Sequence, residues 1–167
     1  MPTPTPATSP YTAVFSPCRN YRYEWWSRWS DGPYCLFIGL NPSTADEQQD
    51  DPTVKRCIDY AKRWGCGALC MANLFAWRAT DPEEMKKQSD PVGPDNDTTL
   101  SRLAKEAGIV IAAWGTHGAH RGRGREVLSM LPGLYALSLN QDGSPGHPLY
   151  LKAELQPFAL NPSKPCA

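Results

Sequence analysis

A chain of 167 residues is long enough to bury one hydrophobic core and short for two, so one domain is expected. Lysine plus arginine and aspartate plus glutamate number 17 each, and the zero net charge excludes a uniformly basic nucleic-acid binder while leaving room for a local basic patch. No apolar run approaches the roughly 20 residues of a membrane span and the N-terminus has no hydrophobic secretion core, which points to a cytoplasmic protein without a membrane partner.

In chain order, residues 1–10 are proline-rich without apolar periodicity and read as a disordered tail. Residues 11–160 read as a single α/β domain and 161–167 as a C-terminal tail. Tyr11 to Phe15 and Tyr21 to Trp29 form an N-terminal β-hairpin around Ser16 to Asn20, the second strand alternating at a period of two as a half-buried strand does. Its aromatic residues can stack bases or pack across strands, and packing is the preferred reading.

Tyr34 to Ile38 is a short apolar run stopped by Gly39 and Asn41-Pro42, hence a buried strand followed by a polar loop. Asp50-Asp51-Pro52 starts a helix with an acidic cap and proline at its first position, and Gly65 ends it. Gly67 to Ala72 is a second apolar strand ending at Asn73, and Pro82 to Gln88 a short helix. Asn96 or Asp97 caps a helix with Leu100, Leu103, Ala104 and Ala107 on one face. Ile109 to Trp114 is continuously apolar, as strands covered on both faces are, and ends at Gly115. Arg121 to Leu131 reads as a third long helix, Leu134 to Leu139 as a fourth core strand, and the remainder as loop with one short helix. Strands alternating with helices predict a three-layer α/β/α fold with a mainly parallel sheet of about four strands, the hairpin added. The six cysteines read as reduced and structural, since this core needs no staples.

In open α/β sheets ligands bind beyond the carboxyl ends of the strands. That rule gathers Asn41 to Asp46, Asn73 to Arg78, Trp114 to His117 and the His147 loop at one rim. The amide of Asn41 can orient a water, and Asp46 can act as a base or cap its loop. Asn73 offers a donor beside an acceptor, as reading a nucleobase edge requires. Arg78 can hold a phosphate or pair with Asp81, and His147 can donate to a developing anion or simply pack. Gly115 to Arg125, with two histidines and three arginines at a helix start, is either a phosphate contact or a solvated helix entrance. No zinc knuckle, His-Glu-x-x-His, P-loop or Gly-x-Ser-x-Gly pattern occurs, so neither a metal nor a cofactor is expected.

Gly-Leu-Asn-Pro-Ser-Thr-Ala-Asp, Asp-Asp-Pro-Thr-Val-Lys-Arg-Cys, Asn-Leu-Phe-Ala-Trp-Arg-Ala-Thr-Asp-Pro, Asp-Pro-Val-Gly-Pro-Asp-Asn-Asp and Trp-Gly strongly resemble the bacterial and phage domain-of-unknown-function family 1643, over roughly residues 20 to 155. More distantly, the order of motifs is similar to the uracil-DNA glycosylase superfamily. Gly39-Leu40-Asn41-Pro42 looks like the Gly-x-Asn-Pro motif whose asparagine positions the attacking water. Ala72 to Arg78 looks like the segment whose asparagine reads the base, and Ile111 to Gly115 like the apolar strand ending in glycine. His147-Pro148-Leu149-Tyr150-Leu151 looks like the His-Pro-Ser-Tyr-Leu loop that steadies the leaving base and enters the minor groove. The sequence departs from the superfamily in having asparagine where its strongest branch has a catalytic aspartate, and Leu149 in place of serine. Cys66 and Cys70 are spaced unlike the ligands of the branch that carries an iron–sulfur cluster, so none is expected.

The resemblance implies an N-glycosidase acting on a base in DNA or in a nucleotide. Asn41, Asp46 and His147 would be catalytic; Gly39, Pro42, Ser43, Asn73, Arg78, Gly115 and Tyr150 would contact substrate, with Phe75, Trp77 or Trp114 as the stacking wall for a flipped base. The alternatives are a non-catalytic nucleotide- or nucleic-acid-binding protein, and a phage or bacterial accessory protein that meets a protein partner through Tyr21, Trp25 and Trp29.

Overall fold

The computed structural model describes residues 11–44, 51–149 and 151–160. Both expected tails, Asp46 and Tyr150 therefore lie outside the described residues. The fold is built on β3 (Tyr34–Gly39), whose residues Cys35 to Ile38 are wholly buried. β3 runs parallel to β4 (Ala68–Asn73) on one side and to β5 (Ile109–Ala112) on the other. β6 (Tyr135–Ala136) continues the parallel set beyond β5, and β7 (Phe158–Ala159) closes that edge antiparallel. At the other edge β1 (Thr12–Phe15) and β2 (Arg22–Arg28) run antiparallel, giving a seven-stranded mixed sheet in the order β1-β2-β4-β3-β5-β6-β7.

The expected sheet of about four strands is thus too small. The hairpin is not an appendage, because β2 pairs directly with β4 and becomes an interior strand. This also corrects the half-buried reading of β2, in which Arg22, Tyr23, Glu24 and Trp25 are buried in succession. Glu24 is tolerated there because Trp26 Nε1 donates to it at 2.9 Å and Arg102 at 2.6 Å. The aromatic residues pack: Trp25 is 1% exposed and stacks on Tyr11, and Trp29 donates its Nε1 to the Cys66 carbonyl. An exposed aromatic face for a protein partner is therefore absent at Trp25.

Alternate residues of β3 feed two cores. Cys35 and Phe37 pack with Val54, Cys57, Tyr60 and Ala61 of α1 (Pro52–Arg63), while Leu36 and Ile38 join Met85 of α2 (Pro82–Lys86), Leu100 and Leu103 of α3 (Asn96–Glu106) and Val127 of α4 (Arg123–Met130). α1 begins as expected, with Asp51 Oδ1 accepting from the amides of Thr53 and Val54 and Pro52 in the first turn.

The third long helix is shorter than the apolar spacing predicts. Thr116–Gly122 forms a 3-10 segment, and positive φ at Arg121 and Gly122 breaks it from α4. The expected strand from Leu134 to Leu139 shrinks to Tyr135–Ala136, with a separate antiparallel bridge from Leu139 to Pro145, and the described C-terminal residues form β7 in place of a short helix. No helix among the described residues is long and apolar enough to cross a membrane.

Candidate functional site

A cleft of about 570 Å³ opens at the carboxyl ends of β3, β4 and β5. Gly39 to Ser43 leave β3 into it, Asn73 closes β4, Ala113 to His117 follow β5, and His147-Pro148 come from the loop beyond β6. Asp51, which caps α1, and Thr53 and Val54 of its first turn also line it, with Phe37, Cys57 and Met71 as apolar lining. Of the four segments that the strand-end rule brings to one rim, Asn41 to Ser43, Asn73, Trp114 to His117 and His147 line a single cavity.

Asn73 is 8% exposed, and its carboxamide lies over Gly39, where a Cβ would stand 3.1 Å from its Oδ1. Its own carbonyl accepts from Nδ2 of the fully buried Asn96, which also donates to the Leu74 carbonyl. The main chain under the Asn73 side chain is thereby fixed, and among the described residues no side-chain hydrogen bond engages its carboxamide. Asn41 is employed differently. Its Nδ2 donates to the carbonyls of Ala79 at 2.9 Å and Pro42 at 3.1 Å, tying the β3 loop to the segment before α2. Only the acceptor end of that amide, Oδ1, is left to turn a water.

His147 accepts at Nδ1 from the amide of Leu149, so the neutral ring carries its proton on Nε2. Although the residue is exposed, partial loss of water around the ring holds its pKa below the ordinary 6.5, opposed by the nearby carboxylate of Asp51. Burial likewise lowers His120, whose ring lies against Phe75, with Arg121 and Lys86 adding repulsion against Glu83. Both folded rings bind a proton less readily than the unfolded chain does. Their contribution to stability is therefore intact above pH 6.5 and is lost as pH falls through the depressed folded values. Urea midpoints are expected to be lower at pH 5.5 than at pH 7.5; substituting both histidines should flatten the profile over about that window.

Several expected site residues stand elsewhere. Phe75 is wholly buried in the core beside α2 to α4, and Trp77 packs edge-on against Tyr21, so neither is a stacking wall. Arg78 donates to the carbonyls of Arg19 and Thr44 and sits over the Phe15 ring, while Asp81 caps α2, so the Arg78–Asp81 pair is not formed. In the basic stretch, Arg121 holds the carbonyls of Gln88 and Ser89, and Arg123 is buried against Leu74, Asp97 and Glu126. Those two guanidiniums serve the fold. Among the described residues no three His, Cys, Asp or Glu side chains gather as a metal site would need.

The cleft also contains residues that strand-end reasoning missed. Arg22 is 3% exposed and lines it, although it shares β2 with Trp26, which faces the opposite core. The cause is a bulge: Val14 pairs with Glu24 but Phe15 with Arg22, leaving Tyr23 as the extra residue and re-aiming what precedes it. Asp51 and Thr53 were legible only as a helix start. Asn140 arrives from a loop with no strand-end signal, whereas His117, with Nδ1 2.9 Å from Lys86 Nζ, lies at the rim where that rule puts it.

The sequence model of a family described as protein of unknown function (DUF1643) matches residues 22–149. Similarity to a curated protein is partial: deaminated glutathione amidase of Bos taurus is 31% identical over 75 residues, which are 45% of this chain and 23% of that protein. The chain thus aligns with less than a quarter of that relative. No solved structure matches.

Proposed function

The chain belongs to the DUF1643 family, whose description carries no activity, and from the chemistry of the strand-end cleft we propose that it is an N-glycosidase hydrolysing the bond between a nucleobase and its sugar, in DNA or in a nucleotide. The carrying observation is the meeting of the Asn73 carboxamide, the Asn41 loop and His147 in one cavity large enough for a base and its sugar. In this reading the sheet, with α1 on one face and α2 to α4 on the other, is the three-layer arrangement of the uracil-DNA glycosylases.

Glycosidic cleavage develops positive charge on the sugar and negative charge on the departing base, so a site needs a positioned water and a donor at the base. Asn73 reads the base edge, Nε2–H of His147 faces the developing anion, and Trp114 is the aromatic wall that remains in the cleft. Asn41 turns the water through Oδ1. A second reading, a nucleotide- or nucleic-acid-binding protein without chemistry, is favoured by one observation: the amide hydrogens of Asn41 are both spent on main-chain carbonyls.

Duplex and single-stranded oligonucleotides carrying uracil, hypoxanthine or a modified pyrimidine, and the corresponding nucleotides, are to be assayed for base release. Release supports the hydrolase; tight binding without release supports the second reading, and neither result refutes both. Asn41→Ala is expected to lower the rate of base release by about 10²-fold or more and to cost about 1 kcal/mol of stability through the two lost main-chain bonds. Full activity in that variant would dismiss its role with water.

A further inference from the structure

Resting on the N-glycosidase reading, we propose that Asp51, the residue that caps α1, is the general base that takes the proton from the attacking water.

Few of the groups that line the cleft can accept a proton at all. Asp51 is the only carboxylate among the described residues that line it. Asn41 and Asn73 are amides and have no basicity to offer. His147 has Nδ1 engaged by the Leu149 amide and its proton on Nε2. His117 is in the same condition, because the Lys86 ammonium can only donate and so makes Nδ1 of His117 the acceptor. The cleft-lining thiol of Cys57 is pushed far up by burial, and Asp51 itself raises it further.

The position of Asp51 is also built. Its Oδ1 accepts from the amides of Thr53 at 2.7 Å and Val54 at 3.3 Å, which fixes the plane of the carboxylate on the first turn of a twelve-residue helix. Among the described residues no side chain donates to its other oxygen. His147 lines the same cavity, near enough for the Asp51 carboxylate to act on it through space, with its ring tethered to Leu149. A base and an N–H donor lining one cavity are the two groups that hydrolysis of a bond held there requires.

The step balances. Water attacks C1′ of the sugar as Asp51 takes one of its protons; the C1′–N bond breaks and its electron pair leaves with the base, whose charge Nε2–H of His147 holds by a hydrogen bond. The proton on Asp51 then passes to the departed base. The products are a sugar with a C1′ hydroxyl and a neutral free base, with one water consumed and the enzyme restored.

The test uses the full chain and whichever base-bearing oligonucleotide or nucleotide the wild type processes. Asn caps a helix about as well as Asp does, and Gly only a few tenths of a kcal/mol worse, so Asp51→Asn and Asp51→Gly keep the fold; thermal melting verifies it. Asp51→Asn is expected to lose about 10²- to 10⁴-fold in single-turnover base release while its substrate affinity stays within about threefold. Formate should restore part of the rate to Asp51→Gly and none to Asp51→Asn. Asp51→Asn at full rate overturns the assignment, and so does a folded Asp51→Asn that loses affinity and rate together, because Asp51 would then hold substrate. An inactive wild type overturns the hydrolase reading itself, and the base role with it.

Discussion

Arg123→Ala is expected to lower stability by about 2–4 kcal/mol, and the melting temperature of a chain this size by roughly 5–12 °C. Arg123 is 2% exposed at the start of α4 and reaches three ways. Its Nε donates to the Leu74 carbonyl at 2.9 Å, and its two terminal nitrogens to Glu126 and, at 2.6 Å, to Asp97 of α3. The side chain is thus the joint between the exit of β4 and two helices. The loss stays below the full cost of breaking a buried ion pair because Asp97 and Glu126 are more than half exposed and regain water when the guanidinium is removed. For the same reason Asp97→Asn should cost only about 0.5 kcal/mol. Lysine has one ammonium where three directions must be served, so Arg123→Lys should recover less than half of the loss. Leu74 directly follows Asn73, so a folded Arg123→Ala should also bind ligand more weakly. Urea denaturation of the three variants checks the order; an Asp97→Asn as damaging as Arg123→Ala would place the energy in the ion pair instead of the main-chain joint.

What the sequence made legible is what local chemistry decides. The apolar runs at β3, β4 and β5 are buried because nothing else can be done with them, and the Asp51-Pro52 pair starts α1 wherever that helix packs. The strand-end rule then brought Asn41, Asn73, Gly115 and His147 to one cleft, since it needs only the direction of parallel strands. The failures lie where register between distant segments decides. Phe75 and Trp77 follow Asn73 in the chain, but their main chain is drawn under the segment before α3: Ala76 and Trp77 donate to the carbonyls of Val92 and Pro91, and the rings turn away from the cleft. Arg22 reads as the polar face of an alternating strand until a bulge at Tyr23 resets the alternation. The arginines of the 121–125 stretch look like an anion site in one dimension; Arg121 and Arg123 find carbonyls and carboxylates tens of residues away.

Gly118→Ala should reduce ligand binding by about tenfold or more while destabilising the fold by about 1–3 kcal/mol. Trp114 leaves β5 into the wall of the cleft, 4% exposed, with its indole laid on the 3-10 segment at Gly118 and the first turn of α4 at Gly124. A Cβ at Gly118 would stand 2.1 Å from Cδ1 and 2.7 Å from Nε1 of the indole, distances no packed pair of atoms sustains. The ring must move by more than an ordinary rotamer adjustment, and the open volume beside it is the cleft. At Gly124 the corresponding Cβ would be 2.9 Å from Nε1, a milder conflict, so Gly124→Ala should disturb binding less than Gly118→Ala. If crowding of the indole is the cause, the damage is not additive: Gly118→Ala combined with Trp114→Leu should be more stable than the sum of the single variants implies. Near-ultraviolet circular dichroism follows the ring, melting follows the fold, and titration with the processed nucleotide follows the cleft. Gly118→Ala with an unchanged indole signal and unchanged affinity would mean that the 3-10 segment yields instead of the tryptophan, and the wall of the cleft would then be set by β5 alone.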